Sequence, residues 1–434
     1  MKKRILLFLL ACVLLHAMSW AGGKSETGKT AGPVTLMVWH DQGEKGVNWF
    51  NDLNALYQKT NPGVKIESVT YPTQQWIEKS IAALNTNTAP DIIFNNYERV
   101  IKVEDQTNKI FDLSDAYRSL QEKDILSEQD LSVAKYKGKM LIFPIQRVQM
   151  AFGVRKSWLA NTGKSFPKTW AEMLDLAETF TKGDPDKNGT AGDTFGLALQ
   201  AANPRDLIHM LDLFTFGTGI RHTIIDPQGN IVINEPRRKE ITKAFVALYW
   251  NYTARDTINH SFTEMYQIIE GGKAGMFRVG DWNVNKWDRP DVLGGDYVIG
   301  PWPQFKTGDK NAVVIGGMRG AAVPANSQKR DAAVKFVQFL LTKEAQELSF
   351  KHIGSAVRKD LNLQLSEHQQ FFANPKYDLI AYDFPESIHP YYPQIEDMYH
   401  KALLKALANR NIDLDALLVE TEKQMKDFIA SRKK

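Results

Sequence analysis

Cysteine is almost absent: Cys12 stands alone in 434 residues, so no disulfide can form within the chain. Long apolar runs are missing as well. The one candidate, Ile5 to Leu15, is shorter than the about 20 residues a membrane-spanning helix needs. No low-complexity tract and no repeat of 20–50 residues stands out. An excess of charge is also lacking. The formal charge is +4, and Lys2, Lys3 and Arg4 supply three of those positives with no acid beside them. The rest of the chain is close to neutral, which excludes nucleic acid and an anionic membrane as partners. Catalytic signatures are missing too. There is no Gly-x-Ser-x-Gly elbow, no His-Glu-x-x-His pair, no P-loop, and no Gly-x-Gly-x-x-Gly where a strand would deliver it. A secreted glycoside-acting enzyme with paired carboxylates stays as the enzyme alternative.

What is present begins with a secretory signal over residues 1–21: a basic start, an apolar core, and a small-x-small site at Ser19-Trp20-Ala21. Cleavage there leaves no cysteine. The alternative is a lipid on Cys12, since Leu9-Leu10-Ala11-Cys12 resembles a lipobox. Residues 22–33 are rich in Gly, Ser, Thr and Lys and read as a disordered leader. Hydrophobic content of 43% and charged content of 24% then mark a globular chain long enough for two or three domains.

Hydrophobic periodicity orders the first unit as strand, helix, strand, helix, strand. The strands are Val34 to Trp39, Val64 to Val69 and Asp91 to Phe94. This predicts a parallel sheet with right-handed crossovers. The third strand lies in Ala89-Pro-Asp-Ile-Ile-Phe-Asn-Asn-Tyr-Glu-Arg99, where an apolar run turns abruptly polar. Ligands of open α/β sheets sit beyond the carboxyl ends of such strands. Further strands are expected at Leu141 to Ile145, Tyr297 to Ile299 and Val313 to Ile315. Thr169 and Glu172 form a capping-box signature. Helices are expected near 204–216, 236–252, 262–271 and 330–341, and through most of the C-terminal third.

The segments Ala89 to Phe94, Pro167 to Trp170, Gly271 to Met276 with Gly280-Asp-Trp282, Gly316-Gly317 with Ala321 to Pro324, and Phe336 to Gln346 occur in a telling order. With them the chain resembles the extracellular solute-binding proteins of bacterial ABC importers, in their carbohydrate, maltose-binding branch. The resemblance implies an α/β, two-lobed periplasmic-binding-protein fold of type II, each lobe a mainly parallel sheet flanked by helices. One lobe would hold 34–143 and 306–341, the other 147–302 and 343–434. Hinged crossovers would lie near Pro144-Ile145, Trp302-Pro303 and Leu341-Thr342. It further implies a monomeric, periplasmic or extracellular receptor. That receptor takes a mono- or oligosaccharide into the interlobe cleft and delivers it to membrane permease subunits with their ATPase.

The site residues implied by position are Glu98 and Arg99 on sugar hydroxyls and Trp282 and Tyr399 on sugar rings. The family's aromatic before the acid–arginine pair is replaced by Asn95, and the glutamate after the first crossover by Val148. These departures argue against maltose itself. Residue chemistry points the same way, because a pyranose needs an aromatic surface and a planar polar rim. Trp39, Trp282 and Tyr399 can give the surface. His40, Asp41, Asn96, Glu98, Arg99, Gln146, Asn283 and Arg319 can give the rim. The plain alternatives are packing for Trp39 and Tyr399, and a solvated pair for Glu98-Arg99.

Two metal readings also arise. Asp184, Asp186, Asn188, Thr190 and Asp193 follow the spacing of a calcium loop without its final bidentate glutamate; the alternative is a polar turn. Pro390-Tyr391-Tyr392-Pro393 resembles the adjacent tyrosines of ferric-ion-binding relatives. A peptide or acidic solute is the remaining ligand alternative, and no other cofactor is expected.

Overall fold

The computed structural model describes residues 33–122, 125–220, 223–226, 228–373, 376–381 and 389–432. The expected signal over 1–21, Cys12 with it, and the leader up to residue 32 lie outside the described residues. No helix among the described residues is long and apolar enough to cross a membrane.

Eleven strands are described: β1 Val34–His40, β2 Val64–Thr70, β3 Ile92–Asn96, β4 Lys135–Tyr136, β5 Lys139–Met140, β6 Phe143–Val154, β7 Phe195–Leu197, β8 Ala274–Gly280, β9 Val298–Gly300, β10 Ala312–Ala322 and β11 Asp378–Ala381. β1 pairs in parallel with β2 and β3, joined by the helices Gly43–Gln58 and Thr73–Asn85. This is the βαβαβ unit the periodicity predicts. Leu36 and Val38 point inward from β1, while the residues between them are half-buried. In the other lobe β7 pairs in parallel with β8, and β11 with β10.

Two long strands connect the lobes. β6 pairs with β10 over Phe143 to Arg147, then with β8 over Met150 to Val154. β10 runs the other way, pairing with β11 over Ala312 to Ile315 and with β3 over Arg319 to Ala322. One hydrogen-bonded sheet therefore passes through both lobes along the path β2-β1-β3-β10-β6-β8-β7.

The expected lobe boundaries need two corrections. The second crossing is not at Trp302-Pro303. Trp302 is buried among Phe152 and Phe214 of the second lobe, and Ala312 and Val314 share that core. The chain crosses inside β10, between Ile315 and Met318, and Met318 is in the first core. The third crossing is not at Leu341-Thr342. Helix Lys343–Ile353 stays with the first lobe, whose core holds Ala345, Ile353 and Val357. The short strand expected over Val313 to Ile315 is thus the start of an eleven-residue hinge strand.

Local signals hold elsewhere. Thr169 and Glu172 close the capping box on helix Trp170–Lys182. Asn203 caps helix Pro204–Phe216, with Pro204 in its first turn, where a missing N–H costs nothing.

Candidate functional site

Parallel strands β1 and β3 end side by side, and their carboxyl ends deliver Asp41, Asn95, Asn96, Glu98 and Arg99 to one place. β10 adds Arg319, because its register sets Arg319 opposite Asn96. These groups are locked together. Arg99 Nη1 donates to Asn95 Oδ1 at 2.8 Å and pairs with Asp41, whose side chain is 1% exposed. Arg319 Nε donates to Asn96 Oδ1, and its Nη1 stands 4.0 Å from Asp41. Gln42 Nε2 donates to Asp41 at 2.7 Å. Lys45, on the first turn of the 43–58 helix, is exposed and lies within the electrostatic reach of Arg319, Asp281 and Asp41.

The second lobe supplies the facing wall from β8 and helices Pro204–Phe216, Phe262–Glu270 and Asp281–Trp287. Trp282 Nε1 donates to the Tyr266 hydroxyl at 3.2 Å, and Arg278 Nη2 donates to the same oxygen at 3.3 Å. Gly280 leaves room for the Trp282 ring, which a Cβ there would strike. The ring itself stays half-exposed. Asp206 links the two sides. Burial raises its carboxyl, while Asn203, Arg278, Arg205 and, across the cleft, Arg99 pull it back. Asp281 begins the 281–287 helix and is pushed up to about 8 by burial, against the Gln149 N–H and Ser355. Several of these groups lack protein partners while buried: Asn95 Nδ2, Gln146 Oε1, Arg278 Nε and Nη1, and Asp281 Oδ1. Buried polar atoms are nearly always paired, so open ones contributed by both lobes are groups a polar ligand can complete.

The structure thus brings together Asp41, Asn96, Glu98, Arg99, Gln146, Arg319 and Trp282. Four other sequence candidates are corrected. His40 is fully buried under the 43–58 helix; it accepts the Gln42 N–H at 3.1 Å, stacks near Phe50, and burial holds it neutral, pushed down to about 4. Trp39 packs edge-on against Tyr71 instead of joining the Asp41–Arg99–Arg319 cluster. Asn283 is buried, its Oδ1 accepting the Gly280 N–H and the Tyr266 hydroxyl, so it caps a helix and orients Tyr266. Tyr399 is fully buried in the second core, its hydroxyl 3.0 Å from that of Thr242. Tyrosine and tryptophan at helical spacing fill cores as readily as they stack on ligands, and here the core claims it.

The loop candidates also resolve. Asp184 accepts the N–H groups of Asn188 and Gly189, Asn188 bridges Asp186 and Asp193, and Lys273 sits on Asp193 at 2.8 Å. Asp186 Oδ1 and Asp193 Oδ1 remain open. Calcium, which takes six to eight oxygens, would have to take the carboxylates from their present hydrogen bonds and compete with the Lys273 ammonium. No group of three or more His, Cys, Asp or Glu side chains among the described residues is arranged to hold a metal. Tyr392 of the tyrosine pair lies in the core, which leaves no paired ferric site there.

Sequence reasoning missed Lys45, Asp206, Tyr266 and Arg278 as wall residues, while Arg205 stands among the arginines it offers to an acidic sugar. One signal was available: Arg278 interrupts the otherwise apolar and fully buried Ala274–Gly280 strand.

A profile of the family described as "Bacterial extracellular solute-binding protein" matches residues 42–347. Among curated proteins, the polygalacturonan/rhamnogalacturonan-binding protein YtcQ of Bacillus subtilis is 23% identical over 396 residues, covering 80% of this chain and 71% of that protein. The fructooligosaccharide ABC transporter substrate-binding protein FusA of Streptococcus pneumoniae is 23% identical over 289 residues, covering 61% of this chain and 52% of its own length. Among solved structures, the maltose-bound MalE3 of T. maritima superposes with a TM-score of 0.76 at 16% identity, over 91% of this chain and all of that one.

Proposed function

The chain belongs to the bacterial extracellular solute-binding proteins, and from that premise we propose that it is the receptor of an ABC-type sugar importer. It captures a mono- or oligosaccharide in the interlobe cleft and hands it to a membrane permease driven by its ATPase. The observation that carries this is the pairing of a half-exposed Trp282 ring with open, buried polar groups from both lobes. A sugar offers a C–H face for the ring and hydroxyls for the amides and guanidinium groups. The curated relatives YtcQ and FusA are both named as sugar-binding proteins, which supports the same ligand class.

Delivery follows from the hinge. A ligand that bonds to Asp41, Asn95 and Arg99 on one side and to the Tyr266–Trp282–Arg278 wall on the other stabilises the closed form by its extra contacts there. The closed form is then the one the permease receives. The chain acts as a binder, so a saccharide recovered after incubation is chemically unchanged. The N-terminal 21 residues leave on secretion, and the mature chain works outside the cytoplasmic membrane.

The test is a thermal-shift screen of the chain from residue 22 against mono- and oligosaccharides, uronates, polyols, peptides and ferric ion. Ligand bound to the folded state alone raises the melting temperature by mass action. A selective rise with one saccharide class supports the reading. A rise with peptides or ferric ion and none with saccharides overturns it.

A further inference from the structure

Arg278 is the anomaly of the cleft. It is 1% exposed and sits within a strand whose other residues are all apolar or glycine. The other deeply buried arginines have carboxylates beside them: Arg155 has Asp296 at 3.7 Å and Arg358 has Asp360 at 2.8 Å. Arg147, partly buried, holds Asp130 at 2.7 Å. Arg278 has none in that range among the described residues. Its Nε and Nη1 are without partners, and only Nη2 is used, on the neutral Tyr266 hydroxyl. Aromatic faces cover it instead, with Phe262 at 4.5 Å and Trp282 at 5.5 Å. A buried cation without an anion is costly, and its usual remedy is a paired, hydrogen-bonded carboxylate or phosphate.

We propose that the ligand of this cleft is an acidic saccharide whose carboxylate binds Arg278. The inference rests on the saccharide reading above. The placement suits it: Arg278 lies against the same Trp282 ring that would stack on the sugar, so one residue of a uronic acid can meet both. The surrounding charge agrees. His209 is held neutral by burial and by the charges of Arg278 and Arg205. Burial pushes the Asp281 carboxyl up to about 8, so it carries little negative charge at neutral pH. Asp41 is already engaged by Arg99, and the Asp206 carboxylate accepts the Asn203 amide.

Calorimetric titration tests this with three ligand sets: oligosaccharides of galacturonate, glucuronate and mannuronate, their methyl esters, and neutral oligosaccharides of matching size. Esterification keeps the ring and removes the charge. The expected result is an acid bound at least tenfold more tightly than its ester, with the gap abolished in Arg278→Gln. A neutral sugar bound most tightly, or equal affinity for acid and ester, overturns the acidic ligand while leaving a saccharide receptor. A loss of stability in R278Q with the acid–ester gap intact assigns Arg278 to packing and overturns its role. No binding by any saccharide overturns the underlying reading as well. The acid–ester comparison on the unaltered chain decides the matter even if R278Q fails to fold.

Discussion

Trp282 and Tyr399 are both large aromatics, and only their surroundings separate them. The Trp282 ring is half-exposed beside open polar groups, whereas Tyr399 is closed off and hydrogen-bonded to Thr242. Trp282→Ala should lower saccharide affinity tenfold or more, equivalent to about 1.4 kcal/mol, with the melting temperature little changed. Tyr399→Phe should do the reverse: a loss of about 1 kcal/mol in stability from the buried hydroxyl pair, and unaltered affinity. Calorimetry for affinity and denaturant melts for stability separate the two. His40 makes a third residue-scale case. Its folded value is about 4, below the ordinary 6.5, because burial disfavours the cation. The unfolded chain then binds the extra proton between those values, so stability is full above pH 6.5 and falls as pH drops towards 4. The loss amounts to roughly 3 kcal/mol at most. Melting curves of His40→Phe, which keeps the contact with Phe50, should be flatter across that window than those of the unaltered chain.

Among elements, the hinge strand β10 and the 184–193 loop make contrasting demands on sequence. Gly317 lies in the crossing part of β10 with φ of +108°, a backbone region closed to residues with a Cβ. Gly317→Ala should therefore destabilise the protein by about 1–3 kcal/mol and alter affinity as well, since the strained residue sits between the lobes. The measurement is a denaturant melt paired with a saccharide titration. The loop holds itself: Asp184 ties two N–H groups, and Lys273 neutralises Asp193. Asp184→Ala should cost about 1–2 kcal/mol, equally in calcium and in chelator. A melting temperature of the unaltered protein that climbs with calcium would contradict a self-sufficient turn. The elements also show where sequence patterning was readable. Capping at Thr169 and Asn203, and the βαβαβ periodicity, depend on neighbours a few residues apart. The eleven-residue length of β10 does not, because its second half owes its extension to β3 and β6.

For the whole molecule, three crossings and one continuous sheet join the two lobes. Such a hinge lets the lobes move as units while the strands bend. A tightly bound saccharide should reduce the radius of gyration in small-angle X-ray scattering, because contacts with both lobes reward the compact form. Tight binding with no compaction would mean that the cleft grips its ligand from one lobe only.

By itself the sequence determined the α/β class, the order of elements and the likeness to a bacterial solute-binding protein. It also pointed to Glu98 and Arg99, where an apolar strand turns polar, while Trp282 came from the family resemblance and Arg319, inside β10, from residue chemistry alone. Those are local features, set by periodicity, capping and turn chemistry. Only the tertiary structure decided that the crossings lie inside β10 and after Val357, that His40 and Tyr399 are buried packing residues, and that Arg278 is a buried cation with open N–H groups. The reason is physical: whether a side chain is buried, paired or left open depends on atoms brought from distant parts of the chain, and no spacing along the chain encodes that.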